Sequence, residues 1–267
     1  MASGQEFQGR WALVTGASAG IGAALARELA GRGAKLILSA RRRERLEALQ
    51  AELAGRGIET RIVVADLNDP AAPQQIFDAT AGAGLAVDIL VNNAGLGHYG
   101  EFYLTEPEQE FSQVRVNCEA VVRLARHFVP LMVERRRGWV LIVASTASFQ
   151  PVPYISTYAA TKVFDRFFAL GLAEEVARFG VRVTALCPGT TESEFFDVAG
   201  AQRFKGRDLQ SAEEVARRGV DALVRGKRLL IPRLDRRFAA FLVRFVPVRL
   251  ITRVVDRMAR PKPDPAR

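Results

Sequence analysis

The chain has 267 residues, 49% of them hydrophobic, with two cysteines, two histidines and a net charge of +9. That composition excludes a disordered chain and a disulfide framework, and the scattered His and Cys residues offer no metal-ligand spacing. No apolar run approaches the ~18 to 20 residues of a membrane span, and the stretch from Met1 to Gly9 lacks the charged start and apolar core of a signal peptide.

A reducing cytoplasm is the expected location. The charge is unevenly placed: residues 203–267 hold 18 Lys and Arg against 7 Asp and Glu. No aromatic platform or reading helix stands among those cations, so nucleic acid is not an expected partner.

Short β-branched runs alternate with helical patterns along most of the chain. Ala12–Thr15 reads as a strand and Ile21 to Gly31 as a helix; Lys35–Ser39 is a strand and Arg43 to Arg56 a helix with Leu46, Leu49 and Leu53 on one face. Arg61–Ala65, Ile89–Asn92, Trp139–Ala144 and Val181–Leu186 are the next strands, and Leu229–Ile231 is a short last one. The alternation predicts an α/β fold, a doubly wound parallel sheet with helices on both faces. Residues 8–232 are expected to bind cofactor and substrate in one domain, 233–259 to form a helical extension, and 260–267 a flexible tail.

Ligands on such a sheet bind beyond the carboxyl ends of the strands. Gly16, Gly20 and Gly22 follow the first strand and open a helix, where backbone N–H groups meet a pyrophosphate. The second strand ends Ser39-Ala40-Arg41-Arg42-Arg43 with no acid before Glu44. A ribose 2′-phosphate meets Arg where a free 2′-OH meets an acid, so Arg41, assisted by Ser39, is the expected phosphate partner and NADP(H) is favoured over NAD(H). Asp66 either accepts from an adenine amino group or caps the helix ahead of Pro70. Asn92 to Gly95 ends the fourth strand; its asparagines meet cofactor or bond backbone at a turn.

Tyr158 and Lys162 are four residues apart and share a helix face. Ser145 lies 13 residues before Tyr158, at the end of a strand. A strand end that delivers a hydroxyl to a helix carrying Tyr and Lys is a proton-transfer site. With the dinucleotide turn it points to hydride transfer with tyrosine as acid or base. Cys187 has no histidine base near it in sequence and reads as a buried strand-end residue, while His127 and Cys118 read as helix packing. His98, in the loop after Gly95, reads as a partly exposed loop residue within reach of substrate.

Taken in order, Thr15–Gly22, Asn92–Gly95, Asn117, Ser145, Tyr158, Lys162 and Cys187-Pro188-Gly189-Thr190 resemble the short-chain dehydrogenase/reductase family over roughly residues 10–230. The segment from Thr190 to Phe196 departs from the common pattern, with threonine where an apolar residue is frequent. The resemblance implies a Rossmann-type fold and a homodimer or homotetramer. It implies catalytic roles for Asn117, Ser145, Tyr158 and Lys162, with Asn117 anchoring a proton-relay water and Lys162 also holding the nicotinamide ribose. It extends cofactor contact to Gly16, Ser18, Gly20, Ile21, Gly22, Ser39, Arg41, Asp66, Leu67, Asn93, Ala94, Gly95, Tyr158, Lys162, Pro188, Gly189 and Thr191. On residues alone, Asn117 reads as a helix-interior asparagine bonding backbone.

Leu96, Phe149, Val152, Tyr154, Phe195 and Phe196 are expected to line an apolar substrate side, which suits a lipophilic ketone, aldehyde or alcohol. A 3-oxoacyl thioester reductase and a non-catalytic NADP-binding sensor or scaffold are the alternatives. Apolar residues recur at 234, 238, 241, 242 and 245 and, after Pro247, at 250, 251, 254, 255 and 258, flanked by arginines. This predicts two basic amphipathic helices that lie on an anionic membrane, cross a subunit interface or cover the pocket.

Overall fold

A computed structural model describes residues 5–202 and 209–261. Its centre is a seven-stranded parallel sheet of β1 (Trp11–Thr15), β2 (Lys35–Ala40), β3 (Thr60–Val64), β4 (Val87–Asn92), β5 (Gly138–Val143), β6 (Val181–Leu186) and β7 (Leu229–Leu230). The strand order is β3-β2-β1-β4-β5-β6-β7. The chain winds outward from β1 to β3, then returns to pair β4 on the other side of β1. That reversal leaves a crevice at the carboxyl ends of β1 and β4. This is a Rossmann-type fold.

Along the chain the helices are α1 (Gly20–Gly31), α2 (Arg43–Ala54), α3 (Ala72–Asp78), α4 (Pro107–Val114), α5 (Ala120–Glu134), α6 (Ser156–Ala177), α7 (Phe195–Val198), α8 (Ala212–Val224), α9 (Leu234–Leu242) and α10 (Val248–Ala259). Successive strand residues face opposite layers. Val14, Leu36 and Leu38 pack with Leu25 and Leu29 of α1, Leu46 of α2 and Val215 and Val220 of α8. Leu13, Ile37 and Leu90 pack on the other face with Leu124 and Phe128 of α5 and Ala169 and Ala173 of α6. Both faces are covered, so β1 and β4 are buried along their whole length.

Element ends differ slightly from the sequence reading. β3 begins and ends one residue earlier than expected, β5 likewise, and α2 stops at Ala54 rather than Arg56. Gly57 takes a left-handed φ of 74°, which halts the helix. Pro247 separates α9 from α10. Residues 262–267 of the expected tail lie outside the described residues.

Candidate active site

The turn after β1 holds its shape through side chains rather than through packing alone. Thr15 Oγ1 donates to Val91 O at 3.1 Å and accepts from Asn93 N at 3.0 Å and Ala94 N at 3.1 Å. Asn93 Nδ2 donates back to Thr15 O at 2.9 Å. The loops leaving β1 and β4 are thereby stapled across the crevice. Gly16 and Gly20 have φ of 66° and 52°. A Cβ at Gly22 would stand 2.2 Å from Gly16 O, so the turn admits backbone alone. Ala19 precedes α1 without a side-chain cap, which leaves first-turn N–H groups for an anion. These features fit a dinucleotide pyrophosphate.

The crevice opens into a cavity of about 550 Å³. Gly16, Ser18, Gly20, Ile21, Gly22, Ser39, Arg41, Asp66, Leu67, Asn93, Ala94 and Gly95 line it, and so do Ser145, Tyr158, Lys162, Pro188, Gly189 and Thr191. Asn117 does not line it. Asp66 faces the cavity and accepts from Asn68 N at 3.0 Å, a turn bond rather than a helix cap: α3 begins only at Ala72, behind Ala71. Asn92 donates to Val121 O, a backbone bond.

At the cofactor end the sequence reading missed Arg42. Its guanidinium donates to Glu194 Oε2 at 2.7 Å and to Ser18 Oγ at 3.3 Å. Arg45 also reaches Glu194, at 3.2 Å. Arg42 holds the Glu194 carboxyl below the usual carboxylate range, with Arg45 assisting. Arg41 is more open, its Nη1 4.0 Å from Asp66 Oδ2. The run of three arginines was the available signal; Arg41 and Arg42 both line the cavity, and which of them engages Glu194 is decided by how distant segments meet.

At the chemical end Ser145 stands two residues beyond β5, its Oγ accepting from Ala147 N at 3.1 Å and facing the same cavity as Tyr158. Burial holds the Tyr158 pKa above its ordinary value; the Lys162 charge and the Ser145 hydroxyl pull it back in part, and Asp165 pushes it up. Lys162 Nζ lies 5.9 Å from the Tyr158 ring centroid and donates to Val143 O and Asp165 Oδ2, each at 2.9 Å. Burial opposes the lysine charge, but Asp165 and Tyr158 outweigh it and hold the Lys162 pKa above its ordinary value. Asp165 is 1% exposed and went unremarked in the sequence.

Asn117 sits in a π-helical turn, Arg115–Glu119, between α4 and α5. Its Oδ1 accepts from Leu96 N at 2.8 Å, and its Nδ2 donates to Leu96 O and Thr161 Oγ1, both at 2.9 Å. The side chain clamps the loop after β4 to α6, and its backbone bonding matches the residue-based reading. A Cβ on Gly95 would stand 3.4 Å from both Asn117 Oδ1 and Lys162 Nζ, so the two polar groups flank one glycine.

Leu96, Phe149, Val152, Phe195 and Phe196 line the cavity, as does His98, half-buried. The Phe195 ring lies 5.1 Å from the Tyr158 ring. Tyr154 corrects the expectation: it takes a left-handed φ of 67°, and its hydroxyl donates to Asp256 Oδ1 at 2.5 Å, away from the cavity. Its place is taken by α9, which contributes Arg236, Ala239 and Ala240. Burial pushes the Cys118 and Cys187 thiols up to about 12, so neither is a nucleophile near neutral pH. His127 stacks on Phe77 at 4.9 Å.

The family model for short chain dehydrogenase matches residues 10–203. The very-long-chain 3-oxoacyl-CoA reductase of Anas platyrhynchos is 35% identical over 187 residues, covering 67% of this chain and 59% of that protein. The chain thus spans less than two thirds of that relative's length. A short-chain dehydrogenase from Sphingobium yanoikuyae in complex with NADPH has a TM-score of 0.81 at 28% identity, covering 97% of this chain and 100% of that one. A 3-oxoacyl (acyl-carrier-protein) reductase from Agrobacterium tumefaciens C58 with NADP bound has a TM-score of 0.76 at 27% identity, covering 84% and 93%.

Proposed function

The chain belongs to the short-chain dehydrogenase/reductase family, and from that premise we propose that it is an NADP(H)-dependent oxidoreductase interconverting a lipophilic ketone or aldehyde and its alcohol. The convergence of Ser145, Tyr158 and Lys162 on the same cavity as the glycine turn carries this reading. Bound nicotinamide supplies or accepts the hydride. Tyr158 gives its phenolic proton to the carbonyl oxygen in reduction and takes it in oxidation. Ser145 Oγ donates to that oxygen and fixes its position. Free tyrosine has a pKa near ~10, so a phenolate at neutral pH needs about 4 kcal/mol of selective stabilisation. The Lys162 charge, set 5.9 Å from the ring, contributes to it. Asn117 keeps the Leu96 loop and α6 in register beside the lysine and anchors the water that relays its proton. Arg41 and Arg42 hold the 2′-phosphate, with Ser39 beneath them.

The test is NADPH consumption over a panel of lipophilic ketones and aldehydes, with Tyr158→Phe as control. The variant is expected to lose at least about 100-fold in kcat while still binding NADPH. NADPH binding without turnover on any carbonyl, unchanged by the substitution, would instead indicate a sensor.

The second reading is a 3-oxoacyl thioester reductase. The very-long-chain 3-oxoacyl-CoA reductase among the relatives favours it, and so does the apolar cavity side built from Phe149, Val152, Phe195 and Phe196. Steady-state comparison of acetoacetyl and long-chain 3-oxoacyl thioesters with simple ketones separates the two. We also propose a cytoplasmic homodimer or homotetramer. Phe111 and Val114 of α4 and Phe167 of α6 are exposed on neighbouring helices, an apolar face that suits a second copy.

A further inference from the structure

The two helices after β7 bury one side and expose a second apolar side. Inward, Ala240 packs with Ala144, Cys187 and Ile231. Ile251 and Ala259 are buried on α10, which is further held by Tyr154 donating to Asp256 and by Tyr99 donating to Ala259 O at 2.8 Å. Outward, Leu234, Phe238, Phe241, Phe245, Val248 and Leu250 are exposed, Phe238 at 63% and Phe245 at 72%. Single exposed apolar residues are ordinary, but six within one short basic segment form a patch that needs a partner.

The charges identify that partner. Between residues 233 and 260 the acids are Asp235 and Asp256. Asp235 is engaged by Arg233 and Arg236, and Asp256 by Tyr154 and Arg260. Among the described residues Arg237, Arg244, Arg249, Arg253 and Arg257 form no ion pair; of the five, Arg257 is near enough to Asp256 to lower its pKa. A second copy placed symmetrically on this face would set five unmatched arginines against five more. An anionic lipid surface matches both features, since it takes apolar side chains below its headgroups and cations at them. α10 has 12 residues, about 18 Å of helix, so it lies along such a surface rather than across it.

We propose that α9 and α10 dock this protein on an anionic phospholipid surface. The same α9 that faces lipid also walls the cavity with Arg236, Ala239 and Ala240. Docking therefore sets the cavity against the phase in which a lipophilic compound is dissolved. The docking itself stands independently of the catalytic reading.

The experiment is co-sedimentation of the full chain with vesicles of phosphatidylcholine alone and of equal parts phosphatidylcholine and phosphatidylglycerol. Binding is expected to the anionic vesicles and to weaken as salt rises. Arg244→Gln/Arg249→Gln/Arg253→Gln is expected to weaken it by roughly a hundred-fold. Phe238→Ser/Phe245→Ser is expected to abolish it with an unchanged Tm, since both side chains already face solvent. Absence of binding to anionic vesicles overturns the proposal. So does a fall in solution mass on Phe238→Ser/Phe245→Ser without vesicle binding, which would assign the face to a second copy. Binding that neither variant alters overturns it as well, by assigning the lipid contact to another surface.

Discussion

Asp165 opposes the residue that its neighbour serves, and Asp165→Asn measures by how much. The Asp165 carboxylate lies 2.9 Å from Lys162 Nζ, which lies 5.9 Å from the Tyr158 ring centroid. The carboxylate is therefore at most about 9 Å from the ring. At an effective dielectric constant of about 20, a unit charge at 9 Å opposes phenolate by about 1.8 kcal/mol, and one at 5.9 Å favours it by about 2.8. Asp165 thus cancels well over half of the stabilisation supplied by Lys162. Asparagine keeps the shape and an oxygen to accept from Nζ, but removes the charge. Oxidation requires Tyr158 as base, so its rate rises with pH through the Tyr158 pKa. In Asp165→Asn that pKa falls, and the rise moves to lower pH by about 1.3 units. The assay is the pH dependence of kcat/KM for alcohol oxidation. Removing one partner of a buried ion pair also lowers Tm, because it costs about 3 to 5 kcal/mol; the pH shift separates the electrostatic effect from that loss. A profile that stays in place or moves to higher pH would refute the reasoning, by showing that Asp165 acts chiefly to keep Lys162 protonated.

Gly22→Ala is expected to abolish NADPH binding, read by fluorescence titration, because its Cβ would stand 2.2 Å from the backbone oxygen of Gly16. Arg41→Ala and Arg42→Ala are each expected to weaken NADPH by about 10- to 100-fold, the range for a lost hydrogen bond to a charged group, while NADH binding is unchanged. Equal wild-type affinities for the two cofactors would remove the 2′-phosphate assignment. Arg42→Ala also releases Glu194, so its carboxyl pKa rises toward the ordinary value, measurable by NMR titration. Phe195→Ala removes the ring 5.1 Å from Tyr158 and is expected to raise KM for lipophilic ketones by about ten-fold with little change in kcat.

What could be read from the chain was what short spacing determines. Alternation of apolar runs implied the sheet, because a parallel strand covered on both faces has to be apolar throughout. Tyr158 and Lys162 could be put on one face because helix pitch alone sets that relation. The remainder depends on where a side chain turns once distant segments meet. Arg41 and Arg42 are adjacent in sequence, yet Arg42 turns to Glu194, 152 residues away. Tyr154 is aromatic and close to the site, but a left-handed backbone and a carboxylate 102 residues later draw it outward. Asp165 lies one turn beyond Lys162 on a long helix, where an acid usually means a solvated face. Only the packing of that helix against β5 and β6 shows the carboxylate to be buried. The same limit explains α9. Its amphipathic pattern was legible, but a helix with apolar residues on more than one side can cover a pocket and meet lipid together, and the sequence reading treated these as alternatives. The structure turns Ala239 and Ala240 toward the cavity and Phe238 and Phe241 toward solvent. Small side chains let the helix approach the cavity, and the large ones remain free for the second surface.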